Sequence, residues 1–426
     1  MKEVESQVAP ILSLIFNQSL NTGELPAIWK DANISPVFKK GAKDNPENYR
    51  PISLTSIVCK LLEHIIFSSI SAHLESNQIL SPKQHGFRSG HSCLSQLILA
   101  LNDWSHSIDN NYNVDVAVLD FSKAFDFVPH ERLKSKLHQY GIRGNTLKWI
   151  NSFLCGRRQR VLINGSASSW EPVQSGVPQG TVLGPLLFLL YVNNITDNIN
   201  SEVRLFADDC VIYRVIKSNA DRVALQQDLD MLVTWADRWQ MKFNISKCHI
   251  IHMSRKRHPP HYTYYMKHLP LSVVQSYPYL GVTISSDLRW REHIDGVAAK
   301  ANRILGLLRR NIRECPIDTK SLAYKSLVLP ILEYASAAWD PYRSTDVQKL
   351  EQIQRRAARF VHGDYRRTSS VSSMISKVQW APLATRRMIS RQVTFYKALH
   401  GLIAIPTDHL RHSHQFTRSS SLLLIS

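Results

Sequence analysis

Hydrophobic residues near the start of the chain recur at the spacing of three and four residues that is typical of an amphipathic helix. This pattern predicts helices over Val8–Leu20 and Ile57–Leu74. Between them, Ile34–Lys40 has the apolar character of a strand and leads into a polar turn rich in Gly, Asp, Asn and Pro. No sequence repeat is visible. The helical and strand patterns together predict a mixed fold of helices and strands.

Two stretches in the middle of the chain predict a central sheet. Residues 115–121, DVAVLDF, are apolar on both faces until they reach Asp120, as expected for a strand that is covered on both sides. Residues 205–213, LFADDCVIY, place two apolar arms on either side of Asp208 and Asp209. This spacing predicts a β-hairpin with both carboxylates in a two-residue turn, because Asp tolerates the positive φ that such turns require.

Helical patterns surround the hairpin and then replace the strands. The apolar run Val182–Val192 is too short to cross a bilayer and predicts a buried core helix. Ser218 and Asp221 form a capping box that predicts the start of a long helix after the hairpin. From about Arg291 we expect three amphipathic helices. The basic face of the first of them carries Lys300, Arg303 and Arg310.

The charge of the chain narrows its class of partner. Of 426 residues, 52 are Lys or Arg and 34 are Asp or Glu, which gives a net charge of +18. Such a balance favours a polyanionic partner, nucleic acid first and an acidic membrane second. The six cysteines form no CxxC pair and no His/Cys cluster at zinc spacing, which disfavours a structural zinc site or a disulfide framework. The N-terminus has no apolar run of the signal-peptide type.

Three carboxylates are placed to form one acidic site. Asp120 ends the predicted central strand, and Asp208 and Asp209 lie in the predicted hairpin. Ionised carboxylates that lie close together repel each other, and a bound divalent cation offsets that cost. Mg²⁺ prefers oxygen ligands, and two such ions can support an in-line displacement at phosphorus. Taken singly, an Asp pair is more often a polar turn, and an Asp after a strand is more often a helix cap.

Several longer segments occur together and in a fixed order. They are NYRPISLTSIVCKLLEHII (48–66), QHGFRSGHSCLSQLI (84–98), VAVLDFSKAFDFVPHERL (116–133), SGVPQGTVLGPLLFLLYVNNI (175–195), LFADDCVIY and YLGVTI (279–284). Together they closely resemble the reverse transcriptases of non-LTR, LINE-like retrotransposons of the Jockey type, over about residues 24–290. YKSLVLPILEYASAAWDPY (324–342) and LEQIQRRAARFV (350–361) resemble the part that follows the polymerase core of these elements.

The resemblance implies an α+β, right-hand polymerase fold with fingers, an antiparallel-sheet palm backed by helices, and a helical thumb. It implies the following division of this chain: an N-terminal extension (1–29), fingers (30–112), a palm (113–290) with an inserted fingers segment (about 140–175), a thumb (291–365) and a basic, partly disordered C-terminal extension (366–426).

The resemblance also implies an activity, an RNA-directed DNA polymerase that extends a primer 3′-hydroxyl with dNTPs by a two-metal mechanism. Its partners would be an RNA template and a DNA primer, and its cofactors two Mg²⁺ ions, with Mn²⁺ as a substitute. Asp120, Asp208 and Asp209 would hold the metal ions, Lys247 would protonate the pyrophosphate, and Phe125 would exclude a 2′-hydroxyl. The nucleotide-binding residues would be Lys39 (or its neighbour Lys40), Arg50, Phe121, Phe125, Gln179 and Gly180. The primer grip would consist of Tyr279, Leu280 and Gly281. The residues that contact the nucleic-acid backbone would be Arg157, Arg158, Arg160, Lys300, Arg303 and Arg310.

The chain departs from the family pattern in two respects. No endonuclease precedes residue 24 and no Cys/His knuckle follows Cys315, so we expect a truncated copy or a fragment, present in the nucleus and cytoplasm and without a membrane partner. Asn194 stands where the family more often has Asp. Two other hypotheses stay open: a decayed copy that only binds nucleic acid, and a two-metal phosphodiesterase, which the nucleotide-pocket motifs disfavour.

Overall fold

A computed structural model describes residues 5–256, 262–407, 411–412 and 423–424. The α-helices are α1 (Glu5–Thr22), α2 (Ile57–Ser76), α3 (Cys93–Asp109), α4 (His130–Gln139), α5 (Gly144–Leu154), α6 (Leu183–Val192), α7 (Asn219–Arg238), α8 (Arg291–Asn311), α9 (Ile317–Ala323), α10 (Leu329–Glu333), α11 (Ser336–Trp339), α12 (Ser344–His362), α13 (Val371–Lys377) and α14 (Leu383–Leu399). The β-strands are β1 (Asp31–Phe38), β2 (Tyr49–Leu54), β3 (Asn113–Leu119), β4 (Arg157–Ile163), β5 (Ser166–Ala167), β6 (Glu171–Val173), β7 (Glu202–Phe206), β8 (Asp209–Ile216), β9 (His249–Met253), β10 (Tyr265–Met266), β11 (Leu269–Pro270), β12 (Ser272–Val273), β13 (Ser276–Tyr279), β14 (Val282–Ser285), β15 (Arg411–His412) and β16 (Leu423–Leu424). The predicted α+β fold class is confirmed.

The central sheet has five strands in the order β12-β9-β3-β8-β7. Its middle strand, β3, pairs antiparallel with both β8 and β9. Residues 114–119 are all buried, which confirms the central strand predicted from the apolar segment. In the register, Leu119 lies opposite Cys210. The next residue, Asp120, therefore follows β3 at the end of the sheet where β7 turns into β8.

Helices cover both faces of this sheet, which is why β3 needs apolar residues on both sides. Ala117 and Leu119 point into a core that includes α2 and α4 to α7. Val116 and Val118 point into a second core, formed with α3, α8 and α12. The predicted core helix is α6, in which every residue except Pro185 is buried.

A second sheet has the order β2-β1-β4-β5, and β6 pairs with the other side of β4. Its strands come from two distant parts of the chain, because β1 pairs in parallel with β4. Residues of the predicted inserted segment therefore share a sheet with residues of the predicted fingers. The boundaries of the fingers, palm and thumb themselves stay predictions.

The chain after β14 is helical up to residue 399. The structure has the three long helices expected there, α8, α12 and α14, and four shorter ones among them. Ala301, Leu305 and Leu308 form the buried face of α8. Tyr324 follows α9 and Trp380 precedes α14, and their rings stack with centroids 4.2 Å apart. This contact packs the start of α14 against the other helices of this part of the chain. The disorder predicted for the tail falls mostly outside the described residues.

One helix of the described part of the chain, α2, is long and apolar enough to cross a membrane by length and composition alone. A third of its most apolar window, 33%, is buried within the structure. Its buried residues Leu62, Ile66, Ile70 and Leu74 follow helical spacing and belong to the core under the central sheet. This packing is that of a core helix.

Lys136 is a buried lysine that holds three helices together. Its Nζ donates hydrogen bonds to the backbone oxygen of Tyr191 and, at 2.5 Å, to Oδ1 of Asn194. The same Nζ lies 3.7 Å from the ring centroid of Trp239, which follows α7. Burial lowers the pKa of Lys136 to about 7, while the aromatic ring favours the charged form. The side chain therefore links α4 to α6 and α7.

Replacing Lys136 by Ala is expected to lower the free energy of unfolding by about 2–4 kcal/mol. The change leaves a cavity among aromatic rings and removes the donor of the buried Tyr191 oxygen. Lys134→Ala is the matched control, since Lys134 lies on the same helix with its side chain 45% exposed and should cost no more than about 0.5 kcal/mol. Urea denaturation of both variants measures the difference; equal costs would contradict the linking role.

Candidate active site

The predicted hairpin is present, but its turn lies one residue earlier than expected. Phe206 pairs with Asp209, so the two turn residues are Ala207 and Asp208, and Asp209 is the first residue of β8. The positive φ of the turn, 55°, falls on Ala207 and not on an aspartate. The prediction that both aspartates occupy the turn is therefore wrong. The carboxylates come from the end of the turn and from the start of the next strand.

Asp120 is held beside this hairpin by the segment that precedes β9. The backbone N–H of Asn244 donates to the Asp120 backbone oxygen at 2.7 Å. Lys247, in the same segment, places its Nζ 3.7 Å from Oδ2 of Asp120. The structure thus brings the predicted general acid, Lys247, to the predicted metal ligand.

The acidic cluster is electrostatically strained. The pKa of Asp209 is raised to about 6, first because its carboxyl group is partly withdrawn from water and then because Asp208 and Asp120 are negatively charged. The pKa of Asp208 is raised as well, again mainly by withdrawal from water, and Asp120 adds to it. The positive charges of Lys39 and Arg50 oppose both shifts.

Lys39 and Arg50 lie on opposite arms of a β-hairpin in the second sheet, at the end where β1 leads into β2. Lys39 directly follows β1, and its N–H donates to the backbone oxygen of Asn48 at 2.8 Å. Arg50 lies on β2 opposite Val37. Both side chains are exposed and act on the carboxylates through their charge, which favours Lys39 over its neighbour Lys40.

The loop SGVPQG connects the two sheets. The N–H of Ser53 on β2 donates to the backbone oxygen of Gln179 at 2.8 Å. Gly180 has φ +96°, and a Cβ at this position would lie 2.9 Å from the Ser53 oxygen, so no larger residue fits. Nε2 of Gln179 donates to Oδ1 of Asp126 at 3.1 Å. The predicted residues Gln179 and Gly180 thus hold β2 next to the segment that contains Asp126.

The two phenylalanines predicted for the nucleotide pocket have different surroundings. Phe125 is half-buried and stacks on the buried Phe188 of α6, with ring centroids 4.4 Å apart. Phe121 is only 6% exposed and stacks on Phe243 within the core. The ring of Phe121 is therefore used in packing, and the assignment of Phe121 to nucleotide binding stays a prediction.

The YLGV segment forms the turn between β13 and β14. Leu280 and Gly281 both have positive φ, 46° and 82°, as in the tight turns of β-hairpins. The Tyr334 hydroxyl donates to the Leu280 backbone oxygen at 3.0 Å and holds the turn. Tyr279, predicted with them, is 3% exposed and accepts a hydrogen bond from Gln96 at 3.1 Å. Its side chain therefore belongs to the core, and only the turn is accessible to a primer.

The basic residues predicted to contact nucleic acid fall into three groups. Arg157 is 3% exposed and donates to the backbone oxygen of Phe153 at 3.0 Å, so its side chain takes part in the core and its assignment as a phosphate contact stays a prediction. Arg158 forms an ion pair with Asp31 at 2.7 Å, so part of its positive charge is offset within the protein. The third group consists of the accessible side chains. Lys300, Arg303 and Arg310 are exposed on α8, and Arg160 is half-exposed on β4.

Two residues that support the site were missed by the sequence interpretation. Glu63 is fully buried on α2 and accepts hydrogen bonds from the N–H groups of Val182 and Leu183 at 2.8 and 3.0 Å, which caps α6. Gln84 contacts the backbone of Ala207. A signal existed for each: Glu63 is an isolated acid in the apolar run KLLEHII, and Gln84 begins the segment QHGFR, to which no role was given.

The carboxylates do not form a closed metal cluster by themselves. Within the described ranges, no group of three or more His, Cys, Asp or Glu side chains is gathered closely enough to hold a metal ion. The donor set is nevertheless one that hard divalent cations bind, since it consists of carboxylate oxygens. The pKa values of Asp208 and Asp209 are raised first by withdrawal from water and then by the neighbouring carboxylates, and a bound cation would favour their ionised forms. Asp120, Asp208 and Asp209 therefore fit a divalent cation.

A sheet whose middle strand pairs antiparallel with both neighbours, acidic residues at its hairpin, a second sheet that carries Arg50 and helices beyond are consistent with the right-hand polymerase fold. Residues 37–284, more than half of the chain, match the family described as "Reverse transcriptase (RNA-dependent DNA polymerase)". The chain belongs to this family. Polymerase chemistry in the family depends in general on divalent metal ions.

Curated relatives agree with this assignment. The "Probable RNA-directed DNA polymerase from transposon X-element" of Drosophila melanogaster is 29% identical over 85% of this chain and 41% of its own length. The "RNA-directed DNA polymerase from mobile element jockey" of Drosophila funebris is 30% identical over 84% of this chain and 41% of its own length. The resemblance to reverse transcriptases of Jockey-type, non-LTR retrotransposons is confirmed. The chain spans about two fifths of the length of these relatives.

Solved structures of telomerase are also similar. Apo telomerase from Candida tropicalis is 11% identical over 93% of this chain and 66% of that chain, with a TM-score of 0.48. Telomerase from Candida albicans in complex with a TWJ fragment of telomeric RNA is 11% identical over 84% of this chain and 68% of that chain, with a TM-score of 0.45.

Proposed function

We propose that the chain is an RNA-directed DNA polymerase that adds deoxynucleotides to the 3′-hydroxyl of a DNA primer on an RNA template. One observation carries the proposal: three carboxylates, Asp120, Asp208 and Asp209, lie at one end of the central sheet, and the charges of Lys39 and Arg50 act on Asp208 and Asp209. Acids that hold metal ions beside cations that hold phosphates are the two parts that phosphoryl transfer requires.

Each side chain has a distinct task in this proposal. Lys39 and Arg50 bind the triphosphate of the incoming nucleotide, Lys as a compact charge and Arg as a bidentate fork. Lys247 lies at 3.7 Å from Asp120 and donates a proton to the departing pyrophosphate. Phe125 forms the floor under the sugar, and the turn at Leu280 and Gly281 seats the primer end.

Asp120, Asp208 and Asp209 would hold two Mg²⁺ ions, or Mn²⁺ in their place. When bound, such ions lower the pKa of the attacking hydroxyl and offset the charge on the leaving group. The carboxylates contribute by staying ionised, which their mutual repulsion opposes in the absence of a cation.

The direct test is primer extension by the purified chain on an RNA template annealed to a DNA primer, with dNTPs and Mg²⁺. We expect extension that requires the template and stops when the metal ion is chelated. Extension on a DNA template alone would redirect the proposal to a DNA-directed enzyme. Binding of the template–primer without extension under either Mg²⁺ or Mn²⁺ would overturn it in favour of a copy that only binds nucleic acid.

The basic face of α8 gives a separate prediction about binding. Arg303→Ala is expected to weaken binding of an RNA–DNA duplex equally for different sequences, and to lower the slope of log K against log salt by about 0.7–0.9, because one phosphate contact is lost. Fluorescence anisotropy at several salt concentrations measures both effects. Arg313→Ala is the control, since Arg313 follows α8, is 83% exposed and forms an ion pair with its neighbour Glu314. An unchanged slope for Arg303→Ala would remove α8 from the duplex path.

A further inference from the structure

The hairpin that carries the acidic residues contains an unfavourable backbone conformation. Ala207 has φ 55°, a region that side chains with a Cβ rarely adopt. Glycine is the usual residue at such a position because it has no Cβ. Something in the surroundings must hold Ala207 in place, since the turn would otherwise relax.

The side-chain amide of Gln84 holds both polar groups of the Ala207 backbone. Its Oε1 accepts from the N–H of Ala207 at 2.9 Å, and its Nε2 donates to the backbone oxygen of Ala207 at 3.4 Å. The same Oε1 accepts from the N–H of Gly86 at 2.7 Å. Gln84 is only 2% exposed, so water does not compete for these bonds.

The backbone around Gln84 is fixed to the strand that leads into the turn. The N–H of Leu205 donates to the oxygen of Lys83 at 2.9 Å, and the N–H of His85 donates to the oxygen of Leu205 at 2.8 Å. Gly86 packs so closely that a Cβ there would lie 2.3 Å from the Ala207 nitrogen. The glutamine amide is therefore held in position by an extra strand segment along β7.

We propose that Gln84 is a positioning residue for the reaction: by holding the Ala207 peptide it sets the direction in which Asp208 and Asp209 present their carboxylates. This inference rests on the proposed polymerase function. The Gln84 side chain hydrogen-bonds to the backbone of Ala207 and Gly86, so it acts on the chemistry through the two residues after Ala207. Removing its amide leaves a buried N–H without a partner and lets the strained turn relax.

Gln84→Met keeps the length of the side chain and removes both hydrogen-bonding groups. We expect kcat for nucleotide incorporation to fall about 10²-fold, the effect of a misplacement of about 1 Å. The KM for dNTP should change little, because Lys39 and Arg50 bind the triphosphate from a different sheet. Mn²⁺ binding to the carboxylates, measured by electron paramagnetic resonance, should weaken about 10-fold or more.

Gln354→Met is the matched control. Gln354 is also a buried glutamine, 1% exposed, whose Nε2 donates to a backbone oxygen, that of Ala381, at 2.9 Å. It lies on α12, in the helical part of the chain. We expect a similar loss of stability in thermal unfolding but wild-type kcat and Mn²⁺ affinity. Equal loss of kcat in the two glutamine variants, or wild-type kcat and Mn²⁺ binding in Gln84→Met, would overturn the proposal.

A second test restores the turn by a substitution at Ala207 itself. Glycine takes a positive φ without strain, so adding Ala207→Gly to Gln84→Met is expected to recover about fivefold of the lost kcat, the value of about 1 kcal/mol. No recovery together with an unchanged turn would contradict the role of backbone strain.

Hydrogen exchange tests the same idea without turnover, which separates it from the proposed function. In the wild-type chain a peptide covering residues 205–210 should exchange far more slowly than one covering the exposed two-residue turn of Asn164 and Gly165 between β4 and β5. In Gln84→Met that protection should fall at least tenfold. If the wild-type turn exchanged as fast as the Asn164 turn, the proposal that Gln84 holds the Ala207 turn would be contradicted, whether or not the chain polymerises DNA. A protected turn in a chain that fails to extend primers would leave this inference standing and remove only the polymerase activity.

Discussion

Asp208→Asn is expected to lower primer extension by at least about 10²–10³-fold in kcat, the effect of removing one preorganised charge from a reacting centre. The substitution keeps the size of the side chain and removes its negative charge. The turn should persist, because Ala207 is held by Gln84 and not by Asp208 itself. Loss of the charge should also lower the pKa of Asp209, which Asp208 helps to raise. Single-nucleotide incorporation under saturating dNTP measures the rate.

The control for this prediction is another carboxylate outside the site. Asp318 is exposed in the first turn of α9, and Asp318→Asn should leave the rate unchanged. Circular dichroism and thermal unfolding of Asp208→Asn should match the wild type, so that a lost rate is not a lost fold. Incorporation that survives in Asp208→Asn at the wild-type rate would contradict the assignment of this residue as a metal ligand.

Much of the acidic site could be predicted because its information is local. The apolar segment before Asp120 indicated a central strand, and the apolar arms around Asp208 and Asp209 indicated a hairpin. Both elements are present. The position of the turn was wrong by one residue, since the pattern of apolar residues fixes which strands pair but not which residue takes the positive φ. That choice depends on Gln84, which is distant in the sequence.

The burial of several other predicted site residues has a common physical cause. Arg157, Phe121 and Tyr279 were assigned to nucleic acid or nucleotide by their place in a motif, yet all three side chains are buried. The next residues along the chain after Arg157 and Tyr279, which are Arg158 and Leu280, are at least partly accessible. In strands and tight turns adjacent residues face opposite sides. The sequence therefore shows where a motif lies, but packing determines which of its side chains are accessible.

The long-range supports could not be found from local pattern at all. Glu63 caps a helix that begins more than one hundred residues later, and Gln84 holds a turn at a similar separation. Each is a polar side chain buried among apolar ones, where leaving it without a partner would be costly. An acid within an apolar stretch, such as Glu63 in KLLEHII, therefore predicts that a partner exists, although not which one.

Phe125→Ala is expected to reduce the preference for dNTP over rNTP by about 10–200-fold, which corresponds to about 1–3 kcal/mol. The ring cannot move aside easily, because it stacks on Phe188, which is fully buried in α6. Its backbone oxygen accepts from the N–H of Val177 at 2.7 Å, a bond that the substitution preserves. Alanine should therefore create space for a 2′-hydroxyl while leaving the loop in place. The ratio of kcat/KM for a dNTP and its ribonucleotide measures the preference.

Phe127→Ala is the matched control, since Phe127 is two residues along the same segment and is 38% exposed. It should retain the wild-type preference, because a side chain that already faces water contributes little to a closed pocket. The preference should fall in Phe125→Ala through faster use of ribonucleotides, with kcat/KM for dNTP reduced less. Unchanged selectivity in Phe125→Ala, or an equal change in both variants, would show that the ring serves packing against α6 and not the choice of sugar.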